Sequence, residues 1–395
     1  MGTKRSLAPL VREVIGDLGV RGSRVSDLFS GMGSVASALA PDFPVVTNDA
    51  LTFTGAFARA RFLNQQRGNE SDLRQALLPV FLTTRKTLQE KFADRVAKER
   101  RAVRGGDSAF RKYIEKASHV GNDATLAALA DTSRALTRSD DYCLTTIYFS
   151  AGYFSTIQAI DFDALRHAID TVVSSASRDW VLSAWLSTAA LLVNAPGHTA
   201  QFLKPTSEAV AVRVRRQWQR PVWETFLERL PALTPVGDRQ WRSKNRVTSE
   251  DALLLVDSDL LDDVSVVYAD PPYTADQYSR YYHVHETLYL YDFPASTGVG
   301  RYRDGRFHTT FSMVTTVEAA FNSMASSLSA RKMPLVVSYP ANGLLSEAGV
   351  NLRRLLKEHY TVRRQVEIET NHSTLGASSG SQQKAAKEKL YVCVP

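Results

Sequence analysis

The chain has 395 residues, 44% of them hydrophobic and 23% charged, an ordinary balance for a soluble globular protein. Its formal charge of +7 favours a polyanionic partner without identifying one. Two isolated cysteines, Cys143 and Cys393, exclude a disulfide framework or a cysteine-built zinc site and fit a reducing compartment.

Taken in order, the N-terminus runs from Met1-Gly2-Thr3-Lys4-Arg5 into an amphipathic pattern with no apolar signal segment. Arg24–Phe29 reads as a short strand, followed by Ser30-Gly31-Met32-Gly33 and a helical pattern through Ala40. A second strand, Pro44–Thr47, ends at Asn48-Asp49. From about Thr52 to Arg239 helical periodicity dominates, as in Leu73–Lys116 and Phe162–Asn194. The most apolar stretch there, Trp180 to Ala195, is too short and too rich in Ser and Thr to span a bilayer. The expectation is a cytoplasmic protein with no membrane partner.

Strands return at Arg246–Thr248, Val264–Ala269, Pro334–Tyr339, Tyr360–Glu369 and Lys389–Val394. Helices Val317–Lys332 and Leu344–His359 lie between the later ones. The last two strands have only the loop Asn371–Lys387 between them and should pair antiparallel. Within that loop, Ala377–Lys387 is rich in Ser, Gly, Gln and Lys and reads as mobile. The predicted fold is α/β, with a seven-stranded, mostly parallel sheet. Residues 1–60 and 246–395 build the sheet, and 61–245 form a large helical insertion.

Two turns carry chemistry. In Asp27-Leu28-Phe29-Ser30-Gly31-Met32-Gly33 two glycines stand where the first strand becomes its helix, so the backbone can bend and approach a ligand closely. Asp49, just beyond the second strand, is placed to accept both ribose hydroxyls of a nucleotide cofactor. NAD and S-adenosyl-L-methionine sites share this logic. The second turn is Asp270-Pro271-Pro272-Tyr273, after the apolar strand Val264–Ala269. Neither proline has an N–H and both fix φ, so the corner is stiff and the Pro271 carbonyl is left for a ligand. A carboxylate, a carbonyl and a ring side by side suit a planar group bearing an exocyclic NH2, a nucleobase. Hydride transfer has no use for such a grip, and methyl transfer to an amine needs one.

With both turns placed, the chain resembles the N6-adenine DNA methyltransferases of the D12 class, which include the Dam-type enzymes. Lys4 falls in a segment similar to that family's N-terminal G-x-K-x-x-L, which contacts the methionine end of the cofactor. Phe29-Ser30-Gly31-Met32-Gly33 resembles its F-x-G-x-G loop, and Asp270–Tyr273 its catalytic motif. Asp49 matches the ribose-binding acid, and Asp251 the acid that binds the cofactor adenine, although Asp251 equally suits an N-cap of a helix from Ala252. The order of these segments is similar to the family's α arrangement.

The resemblance implies a Rossmann-like fold, S-adenosyl-L-methionine as cofactor and Lys4, Asp27, Phe29, Gly31, Gly33, Asp49 and Asp251 around it. It implies double-stranded DNA as substrate, a flipped-out adenine gripped by Asp270, Pro271, Pro272 and Tyr273, and a restriction–modification setting with room for a cognate endonuclease. N4-cytosine or RNA adenine methylation fits the same grip, and an inactive binding protein of the same fold is the remaining alternative. C5-cytosine chemistry is excluded, because it requires a Pro-Cys pair and neither cysteine follows a proline.

Tyr278, Tyr281, Tyr282, His283 and His285 follow the catalytic turn and either stack on the target or pack the insertion. Two His residues two apart make a poor metal site, and none is expected. Arg85–Lys116 holds eleven Lys/Arg against five Asp/Glu, and Arg213–Arg246 is also basic. That makes the insertion the expected DNA-reading domain, with Arg215, Arg216, Lys244 and Arg246 as candidate phosphate contacts. Asn371-His372-Ser373-Thr374 is a plain turn or a wall of the target pocket.

Overall fold

The structure is a computed structural model that describes residues 4, 6–20, 22–135, 142–373 and 383–395. Of 369–373 and 383–386 it describes the backbone only. The chain divides into a sheet unit (1–64, 235–278 and 307–395) and a helical unit (65–234 and 279–306). The boundaries expected at 60/61 and 245/246 therefore move. Residues 235–245 join the sheet unit because they lead directly into its third strand, with Val236 donating to the Arg61 carbonyl and Trp241 Nε1 to that of Phe43. Residues 279–306 leave it because their helix and hairpin bury side chains among the helical unit's own.

The sheet unit contains seven strands: β1 (Arg24–Asp27), β2 (Val45–Asn48), β3 (Arg246–Thr248), β4 (Val264–Ala269), β5 (Leu335–Pro340), β6 (Thr361–Ser373) and β7 (Gln383–Val394). Their order is β3-β2-β1-β4-β5-β7-β6. The first five are parallel and β7 is antiparallel to both neighbours. This is the seven-stranded, mostly parallel sheet of the Rossmann-like methyltransferase type. Helices cover both faces, so β2 and β5 are buried at every residue, the pattern of interior parallel strands. Alternate side chains feed two cores. Val264, Val267, Ala269, Leu335 and Val337 meet helix Val317–Ala330, while Val25, Val45, Val266, Tyr268 and Val336 meet helices Ala8–Gly16 and Ser34–Leu39. Each such Val or Leu contributes about 1.5–3 kcal/mol by leaving water.

Two helical segments and the two closing strands differ from expectation. The segment Leu344–His359 is two helices, Leu344–Glu347 and Leu352–Lys357, because Gly349 takes φ +74° and the Asn351 side chain caps the second by accepting from Arg354 N–H. The long segment Leu73–Lys116 is three helices, broken after Lys91 and at Gly105-Gly106. The last two strands run longer than expected, since cross-strand pairing continues to Ser373 and Gln383. Asn371–Ser373 is therefore strand rather than turn. Thr374, residues 377–382 of the mobile-loop expectation and Met1–Thr3 lie outside the described residues.

The helical unit is built around Thr156–Val172 and Ser175–Leu192, with a two-stranded hairpin, Ser296–Thr297 and Tyr302–Arg303. Trp180 and Trp185 are buried, which makes the apolar stretch a core helix. No described helix is long and apolar enough to cross a membrane.

Candidate active site

Parallel pairing of β1 with β4 sets Asp27 opposite Tyr268, and Leu28 N–H donates to the Tyr268 carbonyl at 3.0 Å. The glycine bend and the Asp-Pro-Pro-Tyr corner therefore leave the carboxyl ends of adjacent strands. Two stretches separated by more than two hundred residues of sequence meet at one edge, where open α/β sheets hold ligands.

On the glycine side, Gly31 and Gly33 have φ of +50° and +72°. A Cβ at Gly33 would stand 2.5 Å from the Phe62 ring, so no larger residue fits. Asp49 fixes this bend: Oδ2 accepts from Gly31 N–H at 3.0 Å and Oδ1 from Leu51 N–H at 2.9 Å. Asn48, buried between them, donates to the carbonyls of Leu28 and Glu250 and accepts from Glu250 N–H and Thr248 Oγ1. One amide thus ties the ends of β1, β2 and β3 together. Asp251 N-caps the helix Ala252–Val256 through Leu253 N–H at 2.8 Å. Phe29 packs edge-on against Phe311 at 5.3 Å.

Asp27 is buried and accepts from the Phe29 and Ala36 N–H groups, yet its Oδ1 has no partner. Burial pushes its pKa up to about 8, with repulsion from Asp270 and Asp49 adding to it. Three carboxylates thus share this edge, an arrangement that a cationic ligand would relieve.

On the other side, Asp270 Oδ1 receives Lys4 Nζ at 3.0 Å and Ser338 Oγ at 3.0 Å. Ser338 in turn exchanges a hydrogen bond with Tyr268 Oη at 2.8 Å. No described residue donates to Asp270 Oδ2 or to the Pro271 carbonyl. Lys4 also donates to Glu388 Oε1 at 2.6 Å. Glu388 is 1% accessible at its side chain against 17% for Lys4 and Asp270, so it is the buried member of this trio. Burial works against the Lys4 charge, but Asp270 and Glu388 outweigh it and hold its pKa above the usual value. Burial raises the Asp270 pKa; Lys4 pulls it back and Glu388 pushes it further up. Lys4 Nζ stands 5.9 Å from the Tyr273 ring centre, and Tyr273 packs on the β4–β5 core while its carbonyl accepts from Leu344 N–H at 2.9 Å.

Lys4, expected at the cofactor carboxylate, thus has its ammonium between two carboxylates of the protein itself. Glu388 and Ser338 were not anticipated. Glu388 shares a face of β7 with the buried Leu390 and Val392, so a charge on an apolar stripe was the available signal.

The expected DNA contacts separate. Lys244 and Arg246 lie at the amino end of β3, the sheet edge opposite the site, because β3 runs parallel to β2; Arg246 there pairs with Asp263. That placement puts them at the sheet edge away from Asp270. In the helical unit Arg215 is held by Asp107 at 2.5 Å, while Arg216 is exposed. Tyr281 stacks on His198 with centres 4.6 Å apart, and its carbonyl accepts from Thr199 N–H and Oγ1. Its ring is packing rather than an open stacking surface. Tyr278, the last residue of the sheet unit's middle segment, hydrogen-bonds Tyr273. His283 is buried against Tyr153, and burial lowers its pKa to about 3.

No family model matches the chain. It is 23% identical over 402 aligned residues to Modification methylase LlaI of Lactococcus lactis subsp. lactis, an alignment covering 99% of this chain and 53% of that protein. It is also 23% identical over 365 residues to Type II methyltransferase M.FokI of Planomicrobium okeanokoites, covering 91% of this chain and 46% of that protein. The chain is thus a distant relative of type II methyltransferases and spans about half the length of the curated relatives it matches.

Proposed function

We propose that this protein methylates the exocyclic N6 of an adenine in double-stranded DNA, with S-adenosyl-L-methionine as methyl donor, in the manner of the D12 class and in a restriction–modification setting. The observation that carries the reading is the corner at residues 270–273. Asp270 Oδ2 and the Pro271 carbonyl, neither taking a hydrogen bond from a described residue, stand beside the Tyr273 ring next to the glycine bend.

The residues present fit the cofactor. Asp27 offers a buried carboxylate oxygen without a partner, which suits a cation. Gly31 and Gly33 bring backbone close, Phe29 gives a wall, and Asp49 and Asp251 supply acceptors for the ribose and adenine. When bound, S-adenosylmethionine supplies an electrophilic methyl whose bond to sulfur breaks as the bond to nitrogen forms.

The chain's own part is positioning and electrostatics. A stacked base cannot present N6 to an in-line donor, so the adenine leaves the helix and lies against Tyr273. Asp270 Oδ2 and the Pro271 carbonyl accept its two N–H groups, which raises electron density on the nitrogen. The surplus proton leaves through Asp270 to water. The helical unit is assigned to DNA: it holds 27 Lys/Arg against 21 Asp/Glu, whereas the sheet unit is nearly balanced at 21 against 20.

The test is transfer of tritium from labelled cofactor into duplex DNA, followed by nucleoside analysis. Labelled N6-methyladenine is the expected product. N4-methylcytosine would move the reading to the other exocyclic amine, label entering only RNA would change the substrate, and no label in any nucleic acid would leave a binding protein.

A further inference from the structure

We propose that Ser338, itself held by Tyr268, is a positioning residue of this site: the hydroxyl chain from Tyr268 through Ser338 sets the rotation of the Asp270 carboxylate, so that Oδ2 faces the substrate amine. The inference rests on the methyl-transfer reading above.

The strand register builds the chain. β4 and β5 pair in parallel with Tyr268 opposite Val336 and Ala269 opposite Val337, so the next step of the ladder sets Asp270 level with Ser338. Side chains alternate along a strand, which puts Tyr268 and Asp270 on one face of β4 and Val336 and Ser338 on one face of β5. Tyr268 and Val336 share a core, so these are the same face of the sheet. Tyr268 reaches Ser338 across the diagonal of the pair, a span within range of an aromatic side chain. The hydroxyls meet at 2.8 Å, and Ser338 Oγ stands 3.0 Å from Asp270 Oδ1.

The direction of the chain follows from its protons. Ser338 has one and gives it to Asp270 Oδ1, so the bond between the hydroxyls is donated by the phenol. Burial pushes the Tyr268 pKa well above its ordinary value, and the Asp270 charge adds to that, so the phenol keeps its proton. Tyr268 is 1% exposed, and its hydroxyl bonds no other described residue. The chain therefore ends in the core. It orients Asp270 and carries no proton to solvent. Lys4 Nζ reaches the same Oδ1 at 3.0 Å, but from a flexible four-carbon stem. Ser338 is fully buried on a central strand, so its hydroxyl cannot follow a carboxylate that turns. Rotation of Asp270 would strand two hydroxyls in the core, and that penalty holds the acceptor in place.

Ser338→Ala removes the donor with little change of shape. Its kcat should fall about 10- to 100-fold, the cost of a misplaced acceptor. Cofactor affinity by calorimetry should stay within about twofold, since no cofactor-facing group has changed. Tyr268→Phe should lower kcat by about 3- to 10-fold. Because Tyr268 acts through Ser338, adding Tyr268→Phe to Ser338→Ala should lower kcat by no more than about twofold further. Hydroxyls that merely fill the core would change stability and leave kcat per folded molecule alone.

The experiment is label transfer by the full chain, the two single variants and the double variant, with thermal melts to establish folding. The carbon-13 carboxyl signal of Asp270, assigned by its loss in Asp270→Asn, is followed in each protein. A lower kcat at unchanged cofactor affinity, with losses that do not multiply, supports the proposal. Parent kcat in folded Ser338→Ala, or losses that multiply in the double variant, overturn it. If Ser338→Ala does not fold, Tyr268→Phe decides, and parent kcat in that variant ends the proposal. A parent protein that transfers no label would remove the methyl-transfer reading. The Asp270 signal then decides alone: one that moves in Ser338→Ala keeps Ser338 as the residue that orients Asp270, and one that stays ends the proposal.

Discussion

Each unit buries carboxylates, and the two sets are treated in opposite ways. In the helical unit Asp163 accepts from Thr145 N–H, Thr146 N–H, Thr146 Oγ1 and Tyr291 Oη at 2.6–2.8 Å. Glu99 likewise takes Thr156 N–H and Oγ1 and Tyr113 Oη. These anions cap helix starts and brace neighbouring helices, with each oxygen supplied by donors from the chain itself. In the sheet unit Asp27 keeps an oxygen without a hydrogen-bond partner, and Asp270 takes donors from described residues on one oxygen only. A buried carboxylate with a full set of donors is architecture. Asp27 and Asp270, each with an oxygen that takes no donor from a described residue, are the carboxylates that the proposed chemistry would use.

The sharpest way to break that contrast is to exchange the penalties. Asp270→Ala should lower methyl transfer by about a thousandfold or more while cofactor affinity, measured by calorimetry, stays within about threefold. Retained turnover would take Asp270 out of the chemistry. Asp163→Ala should do the reverse. It strands the Thr145 and Thr146 amides and the Tyr291 hydroxyl, costing about 2–4 kcal/mol in denaturant unfolding, with turnover per folded molecule preserved. If Asp163→Ala instead abolished turnover at unchanged stability, the division into structural and chemical carboxylates would fail.

The sheet unit was legible because its signals are local. A Gly-x-Gly bend after a strand, an acid after the next strand and a Pro-Pro corner each announce themselves within a few residues, and the parallel order follows from them. The hairpin that closes the sheet was legible from the missing crossover helix. What escaped were residues whose meaning is set by distant partners. Ser338 looks like any hydroxyl in an apolar strand until Tyr268 and Asp270 are seen beside it. Glu388 looked like the end of a polar loop, because the long β6–β7 pairing that buries it is not written in its immediate neighbours. The same limit applies to Lys244 and Arg246, whose charge was visible and whose position at the amino edge was not.

A smaller effect separates the ionisation of Asp27 from its packing. Its folded pKa, about 8, lies above the ordinary value of 3.8, so the native state keeps a proton that the unfolded chain has released. Its contribution to stability is therefore present below pH 3.8 and is lost as pH rises toward 8. Asp27→Asn should flatten that decline and raise the melting temperature at pH 8 by a few degrees. If the ionised carboxylate is what meets the cofactor's positive charge, affinity of the parent should rise about tenfold between pH 7 and 9, and the variant should bind weakly throughout. A variant that is both more stable and equally tight would mean that the unpartnered oxygen has no ligand.

The smallest expected effect concerns DNA. Arg216, exposed in the basic helical unit, should contribute one phosphate contact, so Arg216→Ala should reduce the slope of log affinity against log salt by about one. Lys244 is equally exposed but stands at the sheet edge away from Asp270. Lys244→Ala should leave the slope unchanged, because a duplex delivering a base to the carboxyl edge has its phosphates near that edge. Equal losses from the two substitutions would mean that the DNA also reaches the amino edge, and the contrast between the two ends of the sheet would then hold for the chemistry but not for the track of the nucleic acid.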